Sequence, residues 1–371
     1  MIEYLEVRDS TTKIIGIIDA ASSVIWRALF FGVGDFEITH DATPETIELL
    51  KTGHYITRPD TDDVGIIEKI YIPESTDAGL QITASGRFAK SVLERRLIYN
   101  LSGSSNKATV LRGNVETAVR NVVSDNAIYC PFDSSRNIAL LALGDVAGIT
   151  AKIIDANGYA AEKQVSYENL LVYTDGLLEE YGIGAKTLLK NGKLLYTLYE
   201  GTDRSINNGA GNIPVIFSKE YDNLTSSEYT YDESTEKNVA LIGGEGEGVA
   251  RFYSLIGAAS DLQRREIFID ASNLSKKYKD ENDEEQTYTD AQYKTMLDAK
   301  GRQEITPLAK TETFDGVLDG SNGNYVFGRD FFLGDIVTVQ NNEIGKYINV
   351  RIREALEYQD INGYNVEIKY Q

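Results

Sequence analysis

The stretch Tyr325-Val-Phe-Gly-Arg-Asp-Phe-Phe-Leu-Gly-Asp-Ile-Val-Thr-Val339 decides the fold class. Gly328 and Gly334 interrupt an apolar, β-branched run, and Gly334-Asp335 reads as a turn before a strand from Ile336 to Val339. The next strand, Tyr347 to Leu356, puts Ile348, Val350 and Ile352 on one face and Asn349, Arg351 and Arg353 on the other. Asn362-Gly363 is a two-residue hairpin signal, since both residues tolerate positive φ. Val366 and Ile368 then alternate with Glu367 and Lys369. The spacing predicts an antiparallel meander with one buried face.

Working outward, residues 1–100 read mostly as short strands: Met1 to Val7, Lys13 to Asp19, Val24 to Phe30, Asp35 to Thr39, Gly65 to Ile72 and Gly79 to Ala84. Trp26 is expected in a core or an interface. The polar Asn100-Leu-Ser-Gly-Ser-Ser-Asn-Lys107 marks a first boundary. Residues 101–185 read as mixed α and β. One helix is capped by Asn114, with Val115, Ala118, Val119, Val122 and Val123 on one face, and Ser124-Asp-Asn126 ends it. Ile138 to Leu143 and Ile149 to Ile154 read as strands. A second helix starts at Ser166 and stops at Gly182. From Lys186 the β pattern returns, with an Asn191-Gly192 hairpin and strands at Pro214–Phe217, Asn238–Ile242, Val249–Leu255 and Glu266–Asp270. Thr289-x-x-Gln292 is a capping box for a helix with Tyr293, Met296 and Leu297 inward, and Pro307 marks its end or a kink.

Composition narrows the function. Of 371 residues, 42% are hydrophobic and 25% charged, so the chain is globular. Tyrosine is in excess, 23 against 12 Phe and one Trp, which suits half-wet sheet faces and subunit contacts. A net charge of −20 argues against sequence-specific nucleic-acid binding and against docking on anionic membranes. It serves solubility, and it would also suit a surface meant to repel DNA. With Cys130 alone, no internal disulfide or thiolate-rich metal site is possible. The N-terminus reads as a strand without a signal peptide, and no run is apolar enough to span a membrane. Synthesis and folding in a reducing cytoplasm are expected.

No constellation for catalysis emerges. The Gly243-Gly-Glu-Gly-Glu-Gly248 loop lacks phosphate-loop spacing, a following Lys-Ser/Thr and a following helix, so a hairpin loop is the better reading. Asp280-Glu-Asn-Asp-Glu-Glu285 lacks the alternation of a calcium loop and reads as solvated. His40 and His54 are not at metal-ligand spacing. Cys130 sits in the apolar Ile128-Tyr-Cys-Pro-Phe132, which raises a thiol pKa and suits a buried structural role. No catalytic, cofactor-binding or metal residues are therefore assigned, and no cofactor is expected.

The chain resembles the ReqiPepy-type siphovirus tail protein family, within the wider group of phage tail hub proteins. That group includes contractile-tail baseplate hubs and the N-terminal module of tail-associated lysins. The resemblance is carried by Val24-Ile-Trp-Arg27 and Gly34-Asp-Phe-Glu37, by Ile66-Ile-Glu-Lys-Ile70, and by Leu93-Glu-Arg-Arg96. It continues through Leu198-Tyr-Glu-Gly-Thr-Asp-Arg-Ser205, Phe217-Ser-Lys-Glu-Tyr-Asp-Asn-Leu224, Lys237 to Glu247, Arg264-Arg-Glu-Ile-Phe-Ile-Asp270 and the closing meander. It implies an α+β, mainly antiparallel β chain with two tail-tube-like β-barrel domains and α/β insertions. On that reading, residues 1–100 form the first barrel domain, 101–185 an α/β domain, 186–270 the second barrel domain and 271–310 a helical insertion. Residues 311–371 are the meander that completes the second barrel. It also implies a homotrimeric ring without catalysis, which adapts a sixfold tube to threefold tip parts and encloses the DNA path. The implied partners are a distal tail or tail tube protein, a tape measure protein and a tip or fibre protein. Family members that cut cell walls carry a further C-terminal hydrolase domain, which is expected to be absent after Gln371. The alternatives are a β-rich receptor- or carbohydrate-binding tail protein and, third, a cell-wall hydrolase.

Overall fold

Alternation along the N-terminal strands builds a sheet whose inner face is one aromatic and aliphatic core. The computed structural model describes residues 2–73, 79–101, 108–154, 162–279, 284–319 and 325–370. Most of the Asn100–Lys107 boundary, residues 102–107, and residues 280–283 of the acidic run lie outside them. In chain order the elements used below are β1 Leu5–Arg8, β2 Ile14–Ile18, β3 Ser23–Leu29, β4 Asp35–Asp41, β5 Tyr55–Thr57, β6 Val64–Tyr71 and β7 Gln81–Phe88. Helices α1 Val115–Val123 and α2 Leu170–Glu180 follow, then β8 Gly184–Lys190, β9 Lys193–Tyr199, β10 Ile216–Ser218, β11 Val239–Gly243, β12 Tyr253–Ile256 and β13 Glu266–Asp270. The last are α3 Asp290–Ile305, β14 Ile336–Asn341, β15 Lys346–Asp360 and β16 Gly363–Tyr370.

Strand exceeds helix, 42% to 21%, and most pairings are antiparallel, so the class is α+β as expected. Among the described residues no sheet closes into a barrel. The chain packs as two units, residues 1–152, 163–228 and 314–371, and residues 153–162 with 229–313.

In the first unit the strand order runs β16-β15-β3-β4-β7-β6-β5-β1-β2. Trp26 is buried, with its ring 4.9 Å from Phe88 and 5.8 Å from Phe36. Val24, Ile38, Ile56, Ile67 and Ile82 complete this core. The fifteen-residue β15 takes part in three ladders, one of them with β16 from Ile352↔Tyr370 to Asp360↔Gly363. Its first half pairs with β14, from Asn341↔Lys346 to Ile336↔Arg351. Its second half pairs with β3, from Glu354↔Leu29 to Gln359↔Val24. A bulge between Ile352 and Glu354 separates the two, and it shifts the buried positions from Val350 and Ile352 to Ala355. An extra residue reverses the inside–outside sense of everything after it. The meander thus hydrogen-bonds to the N-terminal strands, and toward the 186–270 region it pairs at β10, through Ile216↔Thr338 to Ser218↔Gln340.

Several local signals read from the sequence are met. Asn191 and Gly192 take φ 52° and 70° between β8 and β9, and the Asn114 side chain accepts from Thr117 N–H to cap α1. Others differ. Asn169, not Ser166, caps α2, accepting from Leu171 and Val172. One π turn, Ser124–Ile128, prolongs α1 beyond its expected end. Residues 149–151 are extended but unladdered. Their backbone groups bond the buried Glu116 (from Ile149 N–H, 2.9 Å) and the Asn114 amide (to Ile149 O, 2.6 Å). Asp360 pairs with Gly363, so the final turn is Ile361-Asn362, one residue early. Gly363 takes the positive φ of 124°.

In the second unit β11 runs antiparallel to β12 and parallel to β13. Helix α3, opened by the expected Thr289–Gln292 capping box, covers one face. Its Tyr293 and Leu297 pack on Ala240, Ile242, Ile256 and Ile269. Gly301 permits close approach, since a Cβ there would meet Ile242 Cδ1 at 2.7 Å. The expected boundaries at 270 and 310 fall within this unit.

Candidate functional site

The most constrained constellation is built where two of the quoted motifs meet. Asp335, at the start of β14, is 2% exposed. Its Oδ1 accepts from Thr202 N–H at 2.7 Å, and Oδ2 accepts from Arg204 Nε at 2.8 Å and Phe332 N–H at 3.0 Å. A buried carboxylate needs such donors, because an unpaired charge there is costly. The bend before it requires Gly334, at φ 92°. The Gly334 carbonyl accepts from Arg351 Nη1 at 2.7 Å. The Phe30 ring wedges against Gly334 and Gly184, packs edge-on to Tyr199 at 5.3 Å and lies under Arg351 at 5.2 Å.

A second cluster joins the segment after β5 to β15 and β16. Arg58, 4% exposed, forks onto Glu357 (Nη1–Oε1 3.0 Å, Nη2–Oε2 2.9 Å) and onto Asp60 (Nε–Oδ1 2.9 Å). Burial works against its charge, but the hydrogen bonds to Asp60 and Glu357 outweigh it and push its pKa up. Burial also opposes the Asp60 carboxylate, and Arg58 holds that carboxyl below its ordinary value. Tyr364 donates to Glu357 Oε2 at 2.5 Å; burial and that carboxylate raise its pKa. Nearby Lys90, 3% exposed, donates to Asp175 at 2.9 Å. Burial pulls the Lys90 amine down and the Asp175 carboxyl up. A cavity of about 730 Å³ lies beside these groups, lined among others by Arg58, Asp63, Lys90, Lys186, Thr187 and Tyr199.

Chemically these clusters are locks. Asp335, Glu357, Asp60 and Asp175 are each paired with a cation, Asp63 accepts from the Thr61 hydroxyl at 3.1 Å, and among the described residues of these clusters no nucleophile stands beside a base with an orienting partner. The residues weighed from sequence lie apart from them. His40 Nδ1 is 3.0 Å from Asp41 O, and His54 Nδ1 is 2.8 Å from Leu49 O. Cys130 is buried, and Arg136 Nη1 lies 3.5 Å from its sulfur, so its surroundings are less apolar than its sequence neighbours suggest. The glycine loop joins β11 to β12. Glu245 accepts from Lys276 N–H at 2.8 Å, and its own N–H donates to the Tyr293 hydroxyl at 2.7 Å. Among the described residues no His, Cys, Asp and Glu group has metal-holding geometry, and no helix is long and apolar enough to cross a membrane. Sequence reasoning missed Arg58, Lys90 and the Asp335 junction. Arg58-Pro-Asp60 was the one local hint, a cation two residues from a carboxylate.

Three solved tail proteins share this fold. The 43 kDa tail protein of prophage MuSo2 from Shewanella oneidensis matches at TM-score 0.58 and 13% identity, covering 100% of this chain and 98% of that one. The tail protein from Neisseria meningitidis MC58 matches at 0.53 and 12%, covering 99% and 96%. Prophage tail protein gp18 from Listeria monocytogenes EGD-e matches at 0.52 and 13%, covering 99% and 94%. No curated protein matches the sequence. The family model described as siphovirus ReqiPepy6 Gp37-like protein matches residues 4–369. With that span covered, the chain belongs to the siphovirus ReqiPepy6 Gp37-like family of structural phage-tail proteins.

Proposed function

We propose that the protein is the structural hub at the distal end of a phage or prophage-derived tail. Three copies form a ring that adapts the sixfold tube to threefold tip components and encloses the DNA path. The observation that carries this reading is the family match along residues 4–369. Likeness to prophage tail proteins over nearly their whole length supports it, as does a site made of closed ion pairs rather than reactive groups. In this reading each copy supplies two tail-tube-like domains, so that three copies set six similar domains around the ring. Its partners are a distal tail or tube protein, a tape measure protein and a tip or fibre protein, and it resides in the virion tail. The chain itself carries out no reaction, and acidic side chains on the inner face keep DNA from adhering.

Light scattering on concentrated protein, with imaging of assembled particles, tests this. Three times the 41.1 kDa chain mass and a threefold ring with a central hole are expected. A strictly monomeric or dimeric species both alone and in particles overturns the reading.

A further inference from the structure

The small sheet of the second unit has one face covered by α3 and one face bare. On the bare face the register places Leu255, Leu241 and Phe268 side by side across β12, β11 and β13. They are 50%, 41% and 52% exposed, and Tyr253, two residues along β12, is 49% exposed. The row is bounded by Val239, which is buried. One observation says that this face is built to be covered. β11 reads Val-Ala-Leu-Ile-Gly, a continuous apolar run rather than the alternation of a strand with one wet side.

We infer that this face binds one amphipathic helix of another polypeptide, completing a helix–sheet–helix sandwich. Size selects the occupant. Four half-exposed side chains, with aromatics near 150–250 Å² each, offer roughly 400 Å² at most. A stable globular interface takes about 800 Å² from each partner, so a second copy of the chain is not accommodated by this face alone. Three strands spaced by about 4.8 Å are about 10 Å across, the width of one helix. Charge selects the flanks. Arg251 lies over Phe268 and Tyr253, at 5.5 and 5.9 Å, and is paired with Asp270. Arg264 is paired with Glu266. The rim is thus internally neutralised, and the helix needs an apolar stripe with mixed-charge flanks rather than the basic flanks that the chain's net charge would suggest.

The probe is a synthetic peptide of about 18 residues, about 27 Å as a helix, with Leu at i, i+3, i+4 and i+7 and alternating Glu and Lys elsewhere. A scrambled peptide of the same composition is the control. The full-length chain is expected to bind the striped peptide and not the scrambled one. Leu241→Ser with Leu255→Ser should weaken binding at least tenfold with an unchanged melting curve, while Leu262→Ser, outside the row, leaves it unaltered. Hydrogen exchange should slow in β11 to β13 on binding. No saturable binding, or binding that survives the double substitution, overturns the proposal. So does self-association of the wild-type chain that the double substitution abolishes, which would make a second copy the occupant.

Discussion

Gly201 and Gly334 meet backbone to backbone: a Cβ on Gly201 would lie 1.8 Å from the Gly334 carbonyl oxygen. The contact brings Thr202 and Arg204 onto Asp335, so two glycines and one buried carboxylate fix the start of β14. Gly201→Ala is expected to destabilise the chain by about 2 kcal/mol, because neither backbone can retreat without breaking those bonds. Urea unfolding checks it; a midpoint shift within error of zero would show that the approach relaxes freely.

The Lys90–Asp175 pair should show the asymmetry of buried ion pairs. Lys90→Met alone strands a carboxylate away from water and is expected to cost about 3–5 kcal/mol. Lys90→Met combined with Asp175→Leu should recover most of that loss. A double variant as unstable as the single one would mean that the pair does more than neutralise itself.

Asp60 links stability to acid. Its carboxyl titrates below the ordinary 3.8 in the folded chain because Arg58 outweighs burial. A group depressed on folding stabilises above its unfolded pKa, and that contribution is lost as pH falls from about 3.8 through the folded value. The stability gap between wild type and Asp60→Asn should therefore be open at pH 7 and narrow as pH falls below 3.8. Equal gaps at pH 7 and pH 2.5 would sink the assignment.

Trp26 is the chain's one tryptophan and reports on β3 directly. Removing residues 346–371 strips β15 from β3 and should shift Trp26 emission to the red, with loss of the cooperative transition it reports. Blue emission and an intact transition in the truncated chain would show that the N-terminal strands close without β15.

Local signals were legible and distant ones were not. The Asn191-Gly192 turn, the Asn114 cap and the Thr289–Gln292 box each act within a few residues, so sequence order specifies them. Asn169 displaced Ser166 as a cap because Tyr167 takes φ 62° and delays the helix start. The strand signature at 149–154 was real in composition, but the Glu116 carboxylate competed for its backbone. Strand partners were the least legible. Nothing near Lys346 announces that one half of β15 joins β14 and the other β3; the bulge at Arg353 decides it. For the site, both the Leu198–Ser205 and Gly334-Asp335 motifs stood out, yet their meeting is a tertiary fact. Arg58 and Glu357, 299 residues apart, were invisible for the same reason.

The double duty of β15 sets an order of events during synthesis. β3 leaves the ribosome early, but the strand that covers its open edge is made near the end. At roughly 5–20 residues per second that edge waits on the order of 15 s to a minute, with Trp26 and Val24 unable to complete their sheet. Nascent chains therefore carry that open edge through most of translation, and prematurely terminated ones cannot cover it. The late strand acts as a proofreading seal, so that only chains translated through β16, to Tyr370, present a completed sheet.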